Sequence, residues 1–574
     1  MMDKLAVAGA LREVGSLLEV KGENPFKVRA YETGARALED LTEDLSTLVA
    51  EKRLTEVPGI GEALAQKIEE LVSTGKLSLL ERLRAELPPG ILGLLKVPDL
   101  GPKKIAALHA ALGIGSVEEL LAACEAGRVR EVKGFGAKTE QKILAGIARL
   151  RSRGREVRLA DALEACGPLL EHLRRSGAPE QLAVAGSARR GKETVGDLDV
   201  VAASSRPAML ADALASYPGA EEVLARGDTK TTVRLRGGLQ VDLRVAPAAD
   251  YPTLLHHLTG SKAHHVRLRG LARERGYSLG EWGLTRLEDG AKLPIASEDD
   301  VYRLLGMQPV PPELREDQGE IEAALEGRLP VDLVREEDIQ GMVHVHTLWS
   351  DGRASLQEMA EATRSMGLRY LTVTDHSRSA AYAGGLDVPR LKAQWEEIER
   401  VEQKVGLRLL RGTEADILED GALDWPDEIV EQLDVVIASV HSRMKMEAPE
   451  MTRRLVRALS LPFFKIWGHA TGRLLLEREP YGLRMEEVLD AAASARCAIE
   501  VNGDPHRLDM EPRFLRLARE RSIPFVLSTD AHSVAGLRNL RFSALVARRG
   551  WVRRGEVLNA RPSEDFARAV RPAG

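Results

Sequence analysis

At 574 residues the chain is too long for one hydrophobic core, and roughly three to five domains are expected. A composition of 44% hydrophobic and 29% charged residues, with no apolar run near ~18 residues, reads as an ordinary soluble protein and argues against a membrane span. The net charge of −6 does not exclude a nucleic-acid partner: residues 128–158 hold 10 basic and 3 acidic residues, residues 313–338 hold 10 acidic and 3 basic, and phosphates respond to such local patches.

The first twenty residues predict an amphipathic helix and not a signal peptide, because charges interrupt each apolar stretch. Cys124, Cys166 and Cys497 lie far apart without metal or redox spacing, which suits a reducing cytoplasm. A short motif then recurs. Val57-Pro-Gly59-Ile-Gly61 precedes Lys67, Val97-Pro-Asp-Leu-Gly101 precedes Lys103 and Lys104, and Val132-Lys-Gly134-Phe-Gly136 precedes Lys138 and Lys142. Each reads as a glycine turn feeding a helix N-terminus, a geometry that offers backbone N–H groups to phosphate. Three copies resemble helix-hairpin-helix motifs, which grip the DNA backbone without reading sequence. Gly59, Gly61, Gly101, Gly134 and Gly136 are the expected DNA contacts. Asp99 replaces the first glycine of the middle copy, which marks that copy as structural.

From about residue 155 short β-type runs appear: Gln181–Ala185, Leu198–Ala202, Thr231–Leu235 and Gln240–Val245. They predict a sheet with helices packed on it. Helical and turn patterns follow over 250–312, and the acidic stretch after Pro312 reads as a connector. Beyond Ile339, strand candidates at 342–346, 369–374, 407–413, 433–440, 463–468, 497–501 and 524–528 alternate with amphipathic helices. Seven such units predict a barrel-like parallel domain with its site at the strand C-termini.

Two constellations carry chemistry. In Gly186-Ser187-Ala-Arg189-Arg190 … Gly196-Asp197-Leu-Asp199, the two aspartates are i and i+2 on a strand and face one way. Asp242, on a later β-type run, completes three carboxylates, enough to hold two Mg²⁺ ions for nucleotidyl transfer. Gly186 and Ser187 can donate hydrogen bonds to a triphosphate, and Arg190 can pair with a phosphate oxygen. In the C-terminal region, His344, His346, Asp351, His376, Glu414, His441, His469, Asp530 and His532 fall at or near strand ends. Nine such ligands exceed what one ion takes and imply a cluster of two or three. The mixed His/carboxylate set favours Zn²⁺ or Mn²⁺ over Mg²⁺. Arg473 and Lys445 are candidates for binding phosphate, and His506 reads equally as a substrate contact or a plain loop histidine.

Across essentially its whole length the chain resembles bacterial X-family DNA polymerases that carry a C-terminal polymerase-and-histidinol-phosphatase (PHP) domain. The resemblance rests on Gly-Ser-x-Arg-Arg with Gly-Asp-x-Asp, on Thr259-Gly260-Ser261, on the hairpin copies and on the histidine set. It implies a multidomain fold: α-helical helix-hairpin-helix N-terminal domains, an α+β nucleotidyltransferase palm and thumb, and a C-terminal (β/α)7-like PHP barrel. The implied boundaries are a lyase-like helical domain over 1–84, a fingers-like domain over 85–154, the palm over 155–250, a thumb-like domain over 251–312, a linker over 313–338 and the PHP domain over 339–574. Asp197 and Asp199 would hold Mg²⁺ or Mn²⁺, and Asp242 would help deprotonate the primer 3′-hydroxyl. Gly186, Ser187, Arg190, Gly196, Thr259, Gly260, Ser261, Lys262 and His265 would contact the nucleotide. The PHP set would hold three divalent ions (Zn²⁺, Mn²⁺ or Fe²⁺). Lys67 aligns with the lysine that opens abasic sugars through a Schiff base, with Tyr31 and Lys27 in support; taken alone, Lys67 is a phosphate-contacting lysine.

Four positions depart from the family pattern. His257 and Leu258 stand where an aromatic pair helps exclude ribonucleotides, Lys262 where an acidic residue stands in one family member, and His265 where an asparagine usually reads the base edge. The expected partners are gapped or nicked DNA and deoxynucleoside triphosphates, with no membrane, and the expected protein is a cytoplasmic, nucleoid-associated monomer. The implied function is gap-filling repair synthesis with 3′-end trimming or abasic-site cleavage by the PHP half. The alternatives are a PHP half acting as a small-molecule phosphatase on a histidinol-phosphate-like substrate, and a DNA-binding scaffold with idle sites.

Overall fold

The computed structural model describes residues 4–39, 45–88, 90–95, 97, 100–153 and 156–572. It forms two compact units, residues 1–154 with 378–385, and residues 155–377 with 386–574.

The N-terminal unit is helical. Helix Lys4–Val20 buries Val7, Leu11, Val14 and Leu18, spaced as one helical stripe, in a core shared with Val28, Tyr31, Ala35 and Leu38 of helix Pro25–Glu39. The three repeated turns share one hydrogen bond: Ile60 N–H donates to Val57 O (3.0 Å), Leu100 N–H to Val97 O (3.2 Å) and Phe135 N–H to Val132 O (2.9 Å). Gly59 (φ 97°) and Gly134 (φ 92°) adopt the left-handed conformation that the turn demands, and Ile60, Leu100 and Phe135 anchor it in the core. Gly61, Gly101 and Gly136 lead directly into helices Glu62–Thr74, Pro102–Leu112 and Ala137–Arg153. Asp99 lies outside the described residues. No single described helix is long and apolar enough to cross a membrane; the bent pair Pro102–Leu112 and Val117–Glu125 passes on length and composition, but Ile105, Leu108, Leu120 and Ala123 bury it in this core.

In the larger unit, β1 (Val157–Arg158) pairs antiparallel with β3 (Thr194–Val195). A five-stranded sheet has the order β2-β4-β7-β6-β5, from Gln181–Val184, Asp197–Ala203, Gln240–Ala246, Lys230–Leu235 and Ala220–Arg226. Strands β4 and β7 run parallel, the other neighbours antiparallel. The expected β-runs are all present. Strand β5 was not expected: it is an edge strand exposed on both faces, so it carries no alternation of apolar and polar residues. After helices Tyr251–Thr259 and Lys262–Glu274, a hairpin of β8 (Tyr277–Gly280) and β9 (Gly283–Arg286) also replaces the expected helix-and-turn pattern.

The acidic stretch over 313–338 is not a free connector. Leu314, Ile321, Ala323, Ala324, Leu329 and Leu333 join the core of the preceding residues with Leu268, Val301 and Tyr302. Its charges find fixed partners: Glu320 with His264 (2.6 Å), Glu316 with Arg190 (2.7 Å), Glu313 with Arg548 (2.9 Å), and buried Arg315 with Glu298 (2.6 Å). Charge density alone reads as solvated linker; partners distant in sequence reverse that reading.

The seven predicted barrel strands are β10 (Gly341–Val345), β11 (Tyr370–Val373), β12 (Arg408–Asp416), β13 (Val435–Ser439), β14 (Lys465–Trp467), β15 (Cys497–Asn502) and β16 (Phe525–Ser528), all parallel and in chain order. The ring is nearly closed, with a parallel bridge from Val345 to Ala531 just past β16. Tyr370, Leu410, Ile437, Ile466, Ala498 and Val526 form one apolar cluster with Phe566 and Val570 of the C-terminal helix Ser563–Val570. Further along the same strands, toward their C-termini, stand Glu414, Ser439, Glu500, Asn502 and Ser528, all buried.

Candidate active sites

Register builds the first site. Asp199 on β4 lies directly opposite Asp242 on β7, and Asp197 shares its face of β4 with Asp199. Gly186 (φ 62°) starts a short helix against this pair; a Cβ there would come within 2.1 Å of Asp199 Oδ2, so only glycine fits. Burial, then Asp197 and Asp242, pushes the Asp199 carboxyl up to about 7, and burial followed by Asp242 raises Asp197. Asp242 shifts the other way: burial opposes ionisation, but Lys230 (2.8 Å) and hydrogen bonds from Thr232 and Gln240 hold it low. Three carboxylates that disfavour one another's charge fit a divalent cation, which relieves that repulsion. Lys230 was not singled out from the sequence; it alternates with Thr232 on an ordinary-looking strand.

The nearby residues divide. Ser187 is partly buried and Gly196 exposed. Arg190 is buried, paired with Glu316 and donating to Thr259 O at 2.8 Å, while Arg189 donates to Thr259 Oγ1 at 2.7 Å and pairs with Glu298. Thr259 is therefore a buried tie between the Gly186–Arg190 turn and the following helix. Ser261 caps helix Lys262–Glu274 by accepting from His264 N–H at 3.1 Å. Gly260 lies against the His265 ring: a Cβ there would meet His265 Nε2 at 2.6 Å. Lys262 is exposed. His265 is buried, and burial, then His264 and His257, drops its pKa to about 3, so the ring is neutral.

The second site brings all nine predicted ligands together around Glu414. Glu414 Oε2 faces His376 Nδ1 (3.0 Å), His344 Nε2 (3.3 Å) and His346 Nε2 (3.5 Å), and Oε1 faces His469 Nε2 (2.8 Å) and His441 Nε2 (3.2 Å). Asp530 Oδ1 stands 3.3 Å from His346 and 3.5 Å from His344, and Asp351 reaches His532 (3.3 Å), His346 and His376 (both 3.7 Å). Three subsets have converging ligand atoms: His346/Asp351/His376/His532, His344/His346/Asp530 and His376/Glu414/His441. The pair His344/His346 is not a plain i, i+2 alternation. The register shifts within β10, and His344 lies at φ 63°; Asp530 (φ 50°) is likewise left-handed. Non-glycine residues held there are typical of functional sites.

Burial tests the fit to metal. His344 Nε2, both ring nitrogens of His346, His469 Nδ1 and Glu414 Oε2 are buried without a hydrogen-bond partner among the described residues. Orphaned polar atoms are costly, and so many in one cavity fit divalent cations. Burial opposes ionisation of Glu414 and Asp530, but the imidazoles, and Arg507 for Asp530, hold both well below the carboxylate range.

Behind the ligands stands a layer that sequence reading missed. Glu500 accepts from His344 Nδ1 and from the His469 backbone N–H, Asp416 accepts from His441 Nδ1, and Asn502 bridges Glu500 and Asp530 at 3.2 Å each. Asp375 fixes the loop that carries Asp351 by accepting from Thr347 (2.7 and 2.8 Å), Ser350 (2.5 Å) and Gln394 (2.7 Å). Such partners set which ring nitrogen faces a metal. Arg507 also enters the site, its Nε 3.2 Å from Asp530 Oδ2 and its Nη1 buried without a hydrogen-bond partner. Arg473, expected to bind phosphate, is instead a buried structural residue, donating to Arg507 O (2.8 Å) and Leu508 O. Lys445 is exposed, and His506 is exposed and bonded to Asp504 (2.9 Å).

In the N-terminal unit the hairpin turns are open: a Cβ at Gly61, Gly101, Gly134 or Gly136 would meet nothing within 4 Å, and Lys133, Lys138 and Lys142 around the third turn are exposed. Lys67 donates to Ala63 O (2.8 Å) in its own helix, Tyr31 is buried, and Lys27 pairs with Glu23.

Comparison with known proteins agrees with this layout. Family models match for a helix-hairpin-helix domain (residues 2–77), a SAM-like helix-hairpin-helix tandem (91–149), the DNA polymerase beta thumb (254–316) and the PHP domain (343–504). The chain is 37% identical over 567 residues to the DNA polymerase/3′-5′ exonuclease PolX of Bacillus subtilis, covering 98% of each chain. Over 36% of its length it is 30% identical to a probable phosphatase of Caldanaerobacter subterraneus (80% of that protein), and over 34% it is 29% identical to one of Caldicellulosiruptor bescii (80%).

Proposed function

This chain belongs to the bacterial X-family DNA polymerases with a C-terminal PHP domain, and from that premise we propose a DNA repair enzyme that fills gaps at one metal centre and trims 3′ ends at the other. The domain boundaries follow the sequence reading, except that 313–338 completes the thumb.

In the polymerase half, Asp197, Asp199 and Asp242 hold Mg²⁺ or Mn²⁺, and Asp242, kept ionised by Lys230, faces the primer 3′-hydroxyl. Gly186, Ser187 and Gly196 offer donors to the triphosphate of an incoming deoxynucleotide, with Lys262 reaching a phosphate and His265 beside the base. Arg190 braces the Gly186 turn through Nε and Nη1, which hold Glu316 and Thr259 O, and offers its remaining Nη2 to the triphosphate. The open glycine turns take the backbone of gapped or nicked DNA. Lys67 is read as a phosphate contact; borohydride trapping on abasic DNA would show a lyase role instead.

In the PHP half, three divalent ions (Zn²⁺, Mn²⁺ or Fe²⁺) fit the nine ligands, and when bound they supply an activated water and neutralise phosphate charge. Arg507 grips a non-bridging phosphate oxygen with its unpartnered Nη1. Glu500 and Asp416 keep His344 and His441 in the tautomer that presents Nε2 to the cavity. We read the protein as a cytoplasmic monomer.

The observation that carries this reading is the convergence of the nine candidate ligands around Glu414 in one chain with the Asp197/Asp199/Asp242 triad. A 5′-labelled primer on gapped DNA with Mn²⁺, with and without nucleotides, tests it. Extension with nucleotides and shortening without them are expected; shortening absent in both would leave the PHP half without this role. The phosphatase relatives favour a second reading, a small-molecule phosphatase, which turnover of histidinol phosphate in preference to DNA ends would support.

A further inference from the structure

Glu193 lies between the Gly186–Arg190 turn and Asp197, inside the segment that builds the polymerase centre, yet its side chain faces the barrel domain. Its carboxylate meets Arg549 Nη1 at 2.7 Å and Arg473 Nη2 at 3.5 Å, and all three side chains are largely buried. Burial pushes the Glu193 carboxyl up, but the two guanidiniums outweigh it and hold the group down at about 2. The segment is seated tightly: Arg549 also donates to Gly191 O (3.1 Å), and a Cβ at Gly191 would come within 2.4 Å of Leu545. Arg549 and Leu545 belong to helix Leu540–Arg549, and among the described residues Arg549 has no hydrogen bond or ion pair with the candidate metal ligands. Arg473 is different. It lies four residues after the candidate ligand His469; its Nε donates to Arg507 O (2.8 Å), and the same Nη2 that faces Glu193 donates to Leu508 O. Arg507 in turn reaches into the site beside Asp530.

We propose that Glu193, a polymerase-segment residue, is a positioning residue of the PHP centre: it fixes Arg473, which fixes the backbone at Arg507 and Leu508, which aims the Arg507 guanidinium at the phosphate of the DNA 3′ end. The inference rests on the trimming role assigned to the PHP half. Glu511, the other acid near Arg473, stands at 3.7 Å from Nη1, and cannot occupy the Glu193 side of the guanidinium. Loss of the Glu193 charge therefore leaves two buried guanidiniums without their shared anion, and Arg473, drawn toward Glu511 alone and still bonded to Arg507 O and Leu508 O, shifts the backbone that Arg507 hangs from.

The test uses the full chain, Mn²⁺ and a 5′-labelled primer on gapped DNA. Glu193→Gln lowers the trimming kcat about 10- to 100-fold, the scale of a displacement near 1 Å at a reacting centre. KM for DNA, bound-metal content and gap-filling rate stay within about twofold, a change below ~0.5 kcal/mol. Glu193→Gln combined with Arg507→Ala is no slower than Arg507→Ala alone, because the two act in series. Amide hydrogen exchange across 504–510 rises in Glu193→Gln. Arg549→Met, which cuts the arm that does not lead to Arg507, lowers the melting temperature but spares trimming. Trimming by Glu193→Gln at the wild-type rate overturns the inference, as does additivity with Arg507→Ala or an equal loss in Arg549→Met. Failure of the wild-type chain to trim at all would instead remove the reading beneath it.

Discussion

The two metal centres are built by opposite means. The polymerase triad comes from register: adjacent parallel strands put Asp199 opposite Asp242, alternation adds Asp197, and one lysine and two neutral side chains support them. The PHP centre takes its candidate ligands from the C-terminal parts of strands (His344, Glu414) and from the turns just beyond them, buries all but Asp351, His441 and His532 almost completely, and backs them with Glu500, Asp416, Asp375 and Asn502. Carboxylates on a half-open sheet can wait for a cation in water. Imidazoles sealed in a barrel have no water to fall back on, and the His344 and His441 rings are held by a carboxylate behind them.

The largest expected effect separates the centres outright. Asp197→Ala with Asp199→Ala abolishes gap filling, a loss of at least about 10³-fold, and leaves 3′ trimming intact; His344→Ala does the reverse. Both are read on the gapped-primer assay. A folded variant that lost both activities would break the comparison, because it would make the centres one functional unit.

The supporting layer gives the next effect. Glu500→Gln keeps the shape but removes the charge behind His344 and His469, and should weaken metal binding at the PHP centre about 10- to 100-fold, measured by competition with a chelating dye. Gln240→Ala, which removes a neutral support of Asp242, should change cation affinity at the polymerase centre by less than about threefold, the scale of one long, part-buried hydrogen bond between a neutral donor and a carboxylate. Equal losses in the two would mean that burial does not set the need for support.

The same difference decides what the sequence could show. All seven barrel strands and the palm strands around the triad were legible, and the nine residues predicted as PHP ligands lie together around Glu414, because strand alternation and strand ends are local patterns. The backing layer was not. Glu500 sits mid-strand in Cys497–Asn502 and reads as a stray acid in an apolar run, and Asp416 lies beyond the predicted end of its strand. Arg473, expected to bind phosphate, is structural, and Arg507, which enters the site, was not singled out, since an arginine's partners are set by backbone carbonyls that no motif records. The acidic stretch over 313–338 misled for a related reason: each of its key charges is satisfied by a residue far away in the chain. Strand β5, exposed on both faces, had no period to read.

The smallest effect tests the open character of the polymerase centre. Lys262 is exposed at the first turn of its helix, beyond the Ser261 cap, and carries no ion pair among the described residues. Its contact with a triphosphate would form in water, where an ion pair is worth about 0.2–1 kcal/mol, so Lys262→Ala should raise the nucleotide Kd about two- to fivefold and leave kcat unchanged. Added salt should shrink that difference, because exposed charges are screened within roughly 10 Å at 0.1 M. Arg507, buried beside Asp530, should show no such dependence: the trimming defect of Arg507→Ala should be the same at low and high salt. Nucleotide titrations and trimming rates at two ionic strengths measure both. An unchanged Kd in Lys262→Ala would remove the lysine from the nucleotide site. A salt-sensitive Arg507→Ala defect would mean that the PHP phosphate grip is as open to solvent as the polymerase one.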